Sequence, residues 1–246
     1  MKTYGIIGFP LTHSFSKKYF TQKIEREGIA DAAYHSFPLT AIEEFPFLLR
    51  DNPLLKGLSV TIPYKEKVLQ YVNHLSDEVK QIGATNCIKI REEKLTAYNT
   101  DIIGFEQSFI KNLKPNHKKA LVLGTGGSSK AVQYILKKLR IDFFIVSRYK
   151  NVKEGFIQYD QITKNIIHEY NLIINATPLG MSPDEDTCPD IPYNLLTPEH
   201  YLYDLVYQPA KTLFLQKGEK QGATIQNGYE MLVIQAEENW RIWNED

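Results

Sequence analysis

Apolar positions along this chain follow two alternating rhythms. Short runs rich in β-branched and aromatic residues read as buried strands. Longer stretches, whose apolar residues return every three or four positions, read as helices. Tyr4 to Gly8 is a strand of this kind, Ser16 to Glu27 a helix, and Ala33 to Leu39 a second strand. Thr40-Ala41-Ile42-Glu43 has the spacing of a capping box, with Glu43 bonding back while Thr40 caps forward, and so predicts a helix start. Leu58 to Ile62 reads as strand, and Pro63 suits the first turn of a helix, where its missing N–H costs nothing. Cys87 to Arg91 and Leu95 to Tyr98, joined by Glu92-Glu93-Lys94, predict a hairpin.

A second series begins near Ala120. Ala120 to Leu123 is an apolar strand, followed by Gly124-Thr125-Gly126-Gly127-Ser128-Ser129 and a helix to about Leu139. Phe143 to Val146, Leu172 to Ile174 and Tyr201 to Leu205 read as further strands, and Pro178 to Pro198 as a loop. Alternation of this kind predicts an α/β architecture with mainly parallel sheets. Gly228 to Trp243 is helical in pattern, with Leu232, Ala236, Trp240 and Trp243 on one face. Periodicity does not say which half of the chain that helix packs on.

Composition narrows the function classes. Lys plus Arg and Asp plus Glu both number 29, so the net charge is zero and no basic surface for nucleic acid or membrane is indicated. No run reaches the roughly 18 apolar residues that a membrane span needs, and the N-terminal apolar stretch is broken by Gly5, Gly8 and Pro10, unlike a signal peptide. Cys87 and Cys188 are in no CxxC or Cys/His cluster, which leaves two free thiols and no metal site. A cytoplasmic protein is expected.

Strand, glycine turn and helix is the order of a dinucleotide-binding unit. The glycines let the backbone turn tightly and approach a pyrophosphate, and the helix N-terminus offers N–H groups to it. A plain tight turn is the bland alternative. The end of the next strand bears on the cofactor. Ser147-Arg148-Tyr149-Lys150 stands where an NAD-binding protein carries Asp or Glu. A guanidinium binds a ribose 2′-phosphate that a carboxylate would repel, so Arg148, helped by Lys150 or Lys153, points to NADP unless it is only a surface arginine.

Polar clusters crowd the first hundred residues: Thr12-His13-Ser14-Phe15-Ser16, Ser59-Val60-Thr61-Ile62-Pro63-Tyr64-Lys65, Gly83-Ala84-Thr85-Asn86 and Asn99-Thr100-Asp101. Singly, each has an ordinary reading as a cap or a solvated first turn. Together with Gly8 to Leu11, the glycine turn, Asn175-Ala176-Thr177-Pro178-Leu179-Gly180-Met181, Tyr203-Asp204-Leu205-Val206-Tyr207 and Gly228 to Gln235, they resemble the shikimate dehydrogenase family over essentially the whole chain.

That resemblance implies an N-terminal α/β substrate domain, residues 1–101 with a returning C-terminal helix 229–246, and a Rossmann-type NADP-binding domain, residues 102–228. It implies reversible NADPH-dependent reduction of 3-dehydroshikimate to shikimate, on the route to chorismate and aromatic amino acids. Lys65 and Asp101 match the family's catalytic pair. Ser14, Ser16 and Tyr207 match groups that hold the substrate carboxylate, and Thr61, Asn86, Asp101 and Gln235 match those that bind ring hydroxyls. Gly124, Thr125, Gly126, Gly127, Ser128, Ser147, Arg148, Lys150, Thr177, Leu205 and Gly228 match nucleotide-contacting positions, and Asp77 falls near another.

The chain departs from the family at Phe15 and Lys17 beside the serines and at Tyr149 after Arg148, and its segment from Asn151 to Tyr170 is short for a crossover helix. Rival readings are a quinate/shikimate dehydrogenase of dual specificity, a non-catalytic binding homologue, and a folate-linked dehydrogenase of related design. The expected partners are small molecules, with the protein a monomer or a homodimer.

Overall fold

The architecture comes from a computed structural model that describes residues 1–11, 15–149 and 154–245. The chain forms two compact units, Met1–Thr100 with Gln235–Asp246, and Asp101–Ile234.

The first unit opens with β1 (Lys2–Gly8), α1 (Phe15–Arg26), β2 (Ala32–Pro38), α2 (Phe45–Asp51) and β3 (Leu55–Val60). It continues with β4 (His74–Leu75), α3 (Asp77–Ile82), β5 (Cys87–Arg91) and β6 (Lys94–Tyr98). The strands form one sheet in the order β2-β1-β3-β5-β6-β4. β1 pairs in parallel with both β2 and β3, while β5 runs antiparallel to β3 and β6. β1 is buried on both faces, which explains why its sequence is a near-continuous apolar run. Tyr4 and Ile6 pack into a cluster with Phe20 and Trp243, and Ile7, on the opposite face, packs with Phe45, Leu58 and Val68. Complete burial of each such aromatic or branched side chain contributes roughly 1.5–3 kcal/mol. In the β5–β6 hairpin, Glu92 and Glu93 take positive φ of 49° and 62°, the turn geometry that matches strand twist.

The second unit comprises α4 (Asp101–Phe109), β7 (Lys119–Leu123), α5 (Gly127–Lys138), β8 (Asp142–Ser147), β9 (Phe156–Gln158), α6 (Lys164–Glu169), β10 (Leu172–Asn175), β11 (Tyr201–Asp204), α7 (Leu213–Lys220) and β12 (Thr224–Gln226). Its sheet runs β12-β11-β10-β7-β8-β9, with every pairing parallel. The sheet starts in its middle, at β7, and is built outward in both directions. Strand order therefore reverses between β7 and β10, and α/β sheets bind ligands at such a switch point. One face carries Leu121, Leu123 and Ile173 against Ile167 and Phe214. Elsewhere Phe105 and Phe109 of α4 lie edge-on to Tyr203, with ring centroids 5.1 and 5.8 Å apart.

The last helix, α8 (Tyr229–Asn244), begins in the second unit, and from Gln235 onward it belongs to the first. Trp243 Nε1 donates to the Ile88 carbonyl at 3.1 Å, and the Tyr4 hydroxyl donates to Asn244 Oδ1 at 2.8 Å. Its opening turn stays with the second unit through Glu230, which accepts from Gln226 Nε2 at 3.3 Å and pairs with Lys111. The division thus falls at 100/101 and 234/235, beside the boundaries of 101/102 and 228/229 expected from the sequence.

Two local expectations are corrected. The capping carboxylate near Thr40 is Glu44 rather than Glu43. It accepts the Ala41 N–H at 3.1 Å and the Thr40 hydroxyl, and opens a 3₁₀ turn, Ile42–Glu44, before α2. No α-helix starts at Pro63. The Lys65 carbonyl accepts the Thr85 N–H at 2.7 Å instead of a helical partner, and the following turns form a 3₁₀ helix, Lys67–Tyr71. Among its described residues, 154–170, the short segment after β8 supplies the three-residue β9, a 3₁₀ turn and the six-residue α6.

Candidate functional site

In the first unit, polar side chains at the strand ends join into one buried network. Burial pushes the Tyr34 phenol well above its ordinary pKa, so it stays a neutral donor, hydrogen-bonded to Ser16 and, at 2.9 Å, to Ser59 Oγ. Asn239 Nδ2 donates to the same Ser59 oxygen at 3.3 Å. The Thr100 hydroxyl donates to Asn239 Oδ1 at 2.6 Å, and Asn86 Nδ2 donates to Thr100 Oγ1 at 2.9 Å. Gln235 Oε1 accepts from Asn86 at 3.1 Å and from Asn239 at 3.4 Å. The Thr100 N–H closes the loop onto Asn86 Oδ1 at 2.7 Å. Three residues singled out from sequence, Ser16, Asn86 and Gln235, are thus brought together. Buried amides are costly without partners, so this mutual satisfaction holds each in one orientation.

Lys65 reaches the same strand ends through its backbone, bonded to Thr85, the neighbour of Asn86. Its side chain is half-buried. Thr61 follows β3, with its N–H donated to the Ile7 carbonyl at 3.0 Å. Asp101, buried, follows Thr100 directly as the first residue of α4. Asp77 opens α3 on the surface, paired with Lys80 at 2.7 Å, which lowers its carboxyl pKa. Ser14 lies outside the described residues. Sequence reading had Ser59 and Thr100 in its polar clusters without a role, and missed Tyr34 and Asn239. Asn239 carried a signal, because it stands one helical turn after Gln235 on α8.

In the second unit the glycine turn occupies the switch point. Gly124 has φ +109°, and a Cβ there would lie 3.0 Å from both the Ala176 carbonyl oxygen and Thr177 Cγ2, so only glycine fits between the ends of β7 and β10. Ser129, standing where a third glycine is usual, is fully buried and donates to the Gly124 carbonyl at 2.7 Å, fastening the turn to α5. Gly126 N-caps α5 with no side-chain acceptor, and a Cβ built on it would meet nothing within 4 Å. An uncapped helix N-terminus facing open space suits a phosphate. Gly127 and Ser128 open α5, and Thr125 lies in the turn before it.

Arg148 is exposed beyond the end of β8, its guanidinium 5.9 Å from the Tyr149 ring centroid, with Ser147 buried beside it and accepting the Tyr149 N–H at 3.1 Å. Lys150 and Lys153 lie outside the described residues. Thr177 follows β10, and Leu205 follows β11. Gly228 packs on Leu205 so closely that a Cβ would come 2.2 Å from its carbonyl oxygen. Tyr207, half-buried, lies three residues past β11 in the second unit. Among the described residues no group of three or more His, Cys, Asp or Glu could hold a metal ion, and no helix is long and apolar enough to cross a membrane.

A parallel sheet wound outward from a glycine turn, with an open helix N-terminus and an arginine at the neighbouring strand end, defines a Rossmann-type dinucleotide-binding unit. It is joined here to a separate α/β unit. The model of the shikimate dehydrogenase substrate binding domain matches residues 6–88. A shikimate dehydrogenase (NADP+) of Caldicellulosiruptor saccharolyticus is 34% identical, over 99% of this chain and 92% of its own. The crystal structure of shikimate dehydrogenase from Aquifex aeolicus superposes with a TM-score of 0.87 at 31% identity, covering 99% of this chain and 92% of that one. The Thermus thermophilus shikimate 5-dehydrogenase, solved with NADP(H) and shikimate, superposes with a TM-score of 0.85 at 28% identity, over 99% and 94%. The chain belongs to the shikimate dehydrogenase family.

Proposed function

We propose that this protein is an NADP-dependent shikimate dehydrogenase, reducing 3-dehydroshikimate to shikimate reversibly on the route to chorismate and aromatic amino acids. The observation that supports this reading is family membership across 99% of the chain, combined with the presence in the sequence of Lys65, Asp101, Asn86 and Gln235, and of Arg148 where a strand-end acid would favour NAD.

NADPH supplies the reducing equivalent when bound. The chain's own contribution is positional and electrostatic. Lys65 is assigned to stabilise the negative charge that develops on the ketone oxygen and to deliver the proton to it. Asp101 is assigned with it as the second member of the catalytic acid–base pair. Ser14, Ser16 and Tyr207 are assigned to the substrate carboxylate, and Thr61, Asn86 and Gln235 to the ring hydroxyls. The network through Asn239 and Thr100 supports this, since it holds the Asn86 and Gln235 amides before substrate arrives. Gly124 to Ser128 and Thr177 are assigned to the nucleotide's phosphates and neighbouring groups, Ser147, Arg148 and Lys150 to its 2′-phosphate, and Leu205 and Gly228 to its nicotinamide end.

The first unit with its returning helix is then the substrate domain, the second the NADP domain, and the protein a cytoplasmic monomer or homodimer. The test is to follow absorbance of reduced nicotinamide with shikimate or quinate, each with NADP+ or NAD+. Turnover confined to shikimate with NADP+ is expected. Comparable use of quinate or NAD+ replaces this reading with dual specificity, and a folded protein that binds NADPH but turns over neither substrate is a non-catalytic homologue.

A further inference from the structure

Asp204 is a fully buried carboxylate whose hydrogen-bond donors are all neutral. It ends β11. Its Oδ1 accepts the Val206 N–H at 2.9 Å and Asn175 Nδ2 at 2.9 Å, and its Oδ2 accepts the Thr212 hydroxyl at 2.5 Å. A buried charge with no cation beside it is costly, and these three bonds offset that cost only in part. Burial pushes the carboxyl up to about 7 even though all three bonds pull it down. In its charged form such a residue costs stability, so its placement calls for another account.

Its partners lead into the loops after β10 and β11 at the switch-point end of the sheet. Asn175, itself fully buried, turns its Oδ1 to the Thr177 N–H at 3.1 Å and the Thr177 hydroxyl at 2.6 Å, and its Nδ2 also reaches the Leu179 carbonyl at 3.3 Å. Thr177 in turn lies against the position that a Gly124 side chain would take. On the other side, Val206 accepts the Gly228 N–H at 3.1 Å, and Gly228 packs on Leu205. Thr212 is the N-cap of α7, where its oxygen accepts the Leu215 N–H at 3.4 Å.

We propose that Asp204 is the positioning residue of the nucleotide site: its carboxylate holds the loop after β10, the loop after β11 and the start of α7 in one register, and so sets Thr177, Leu205 and Gly228 for the cofactor. This rests on the NADP-binding reading above. Asp204 is assigned no contact of its own with substrate or cofactor. It acts through Asn175 and Val206.

The test uses the full-length protein and NADPH fluorescence titration, with turnover measured alongside. Asp204→Asn keeps the shape but replaces one acceptor oxygen with a donor that meets the Thr212 hydroxyl. Loss of this buried hydrogen bond should weaken NADPH binding about tenfold, while turnover at saturating NADPH stays within about threefold. Thr212→Val should reproduce the binding loss, and Thr212→Ser, which keeps the hydroxyl, should restore it. Unchanged NADPH affinity in a folded Asp204→Asn variant overturns the inference, as does equal behaviour of the Val and Ser variants at 212. Should Asp204→Asn not fold, the 212 pair decides alone. Wild-type protein that binds no NADPH would overturn the underlying cofactor reading, whereas wild-type protein that binds it without turning over shikimate leaves this test intact.

Discussion

The two units prepare their candidate binding regions by opposite means. In the first, the groups at the strand ends are side chains, and a closed ring of amides and hydroxyls holds them: Asn86, Thr100, Gln235 and Asn239. In the second, the region is shaped by backbone and by missing side chains, with Gly124 and Gly228 letting neighbouring backbone approach and Gly126 leaving space open. The first region therefore depends on which atoms are present, and the second on which are absent. A small ring with several hydroxyls requires matched donors and acceptors. A phosphate asks chiefly for N–H groups and room.

Substitutions can test that contrast, and the largest effect belongs to the first region. Lys65→Ala should lower turnover about a thousandfold, the scale of lost acid–base catalysis, and leave NADPH affinity unchanged. A variant that also loses NADPH would place Lys65 outside the chemistry. In the second region, adding atoms should do what removing them does in the first. Gly228→Ala forces a Cβ onto the Leu205 carbonyl and should cost about 3 kcal/mol in denaturant unfolding, with NADPH binding lost first.

Asn239→Leu keeps the volume but leaves the Thr100 hydroxyl without its acceptor, at a cost of about 2 kcal/mol. It should raise KM for shikimate and spare KM for NADPH; equal change in both would mean that the ring serves stability alone. Arg148→Ala should weaken NADPH about tenfold relative to NADH, and equal loss of both cofactors would remove the 2′-phosphate role.

The last contrast is a slope. Asp204 holds its proton to about pH 7 in the folded chain, whereas an unfolded aspartate loses it near pH 4. Its contribution to stability is therefore full below about pH 4 and is lost as pH rises through about 7. Wild-type stability measured against Asp204→Asn should fall across that window, and a flat difference would mean that the carboxyl is ionised throughout.

Much of this was legible along the chain because its causes are local. Strand and helix rhythms, the glycine turn and the arginine after β8 each depend on a few consecutive residues, and all stand within a few positions of where their patterns put them. The failures were local competitions settled from a distance. Pro63 looked like a helix start, but the Lys65 carbonyl was taken by Thr85, from another segment. Glu44 displaced Glu43 as the capping acid because the helical turn begins one residue later than the spacing implied.

What periodicity alone could not reach was pairing across long stretches of chain. Asn239 meets Thr100 across 139 positions, and Gln235 meets Asn86 across 149. An asparagine on a late helix reads as a solvated residue until folding carries it into a core, and it then has to be hydrogen-bonded. Asp204 is the sharper case. Its letter says carboxylate, and only the sheet that closes over it says buried, met by neutral donors and tied to the loops after β10 and β11. Residue types and their local order belong to the chain. Strand order, burial, and the choice of neighbour for each polar atom belong to the packed molecule, because each is settled by chain closure between segments that carry no mark of one another.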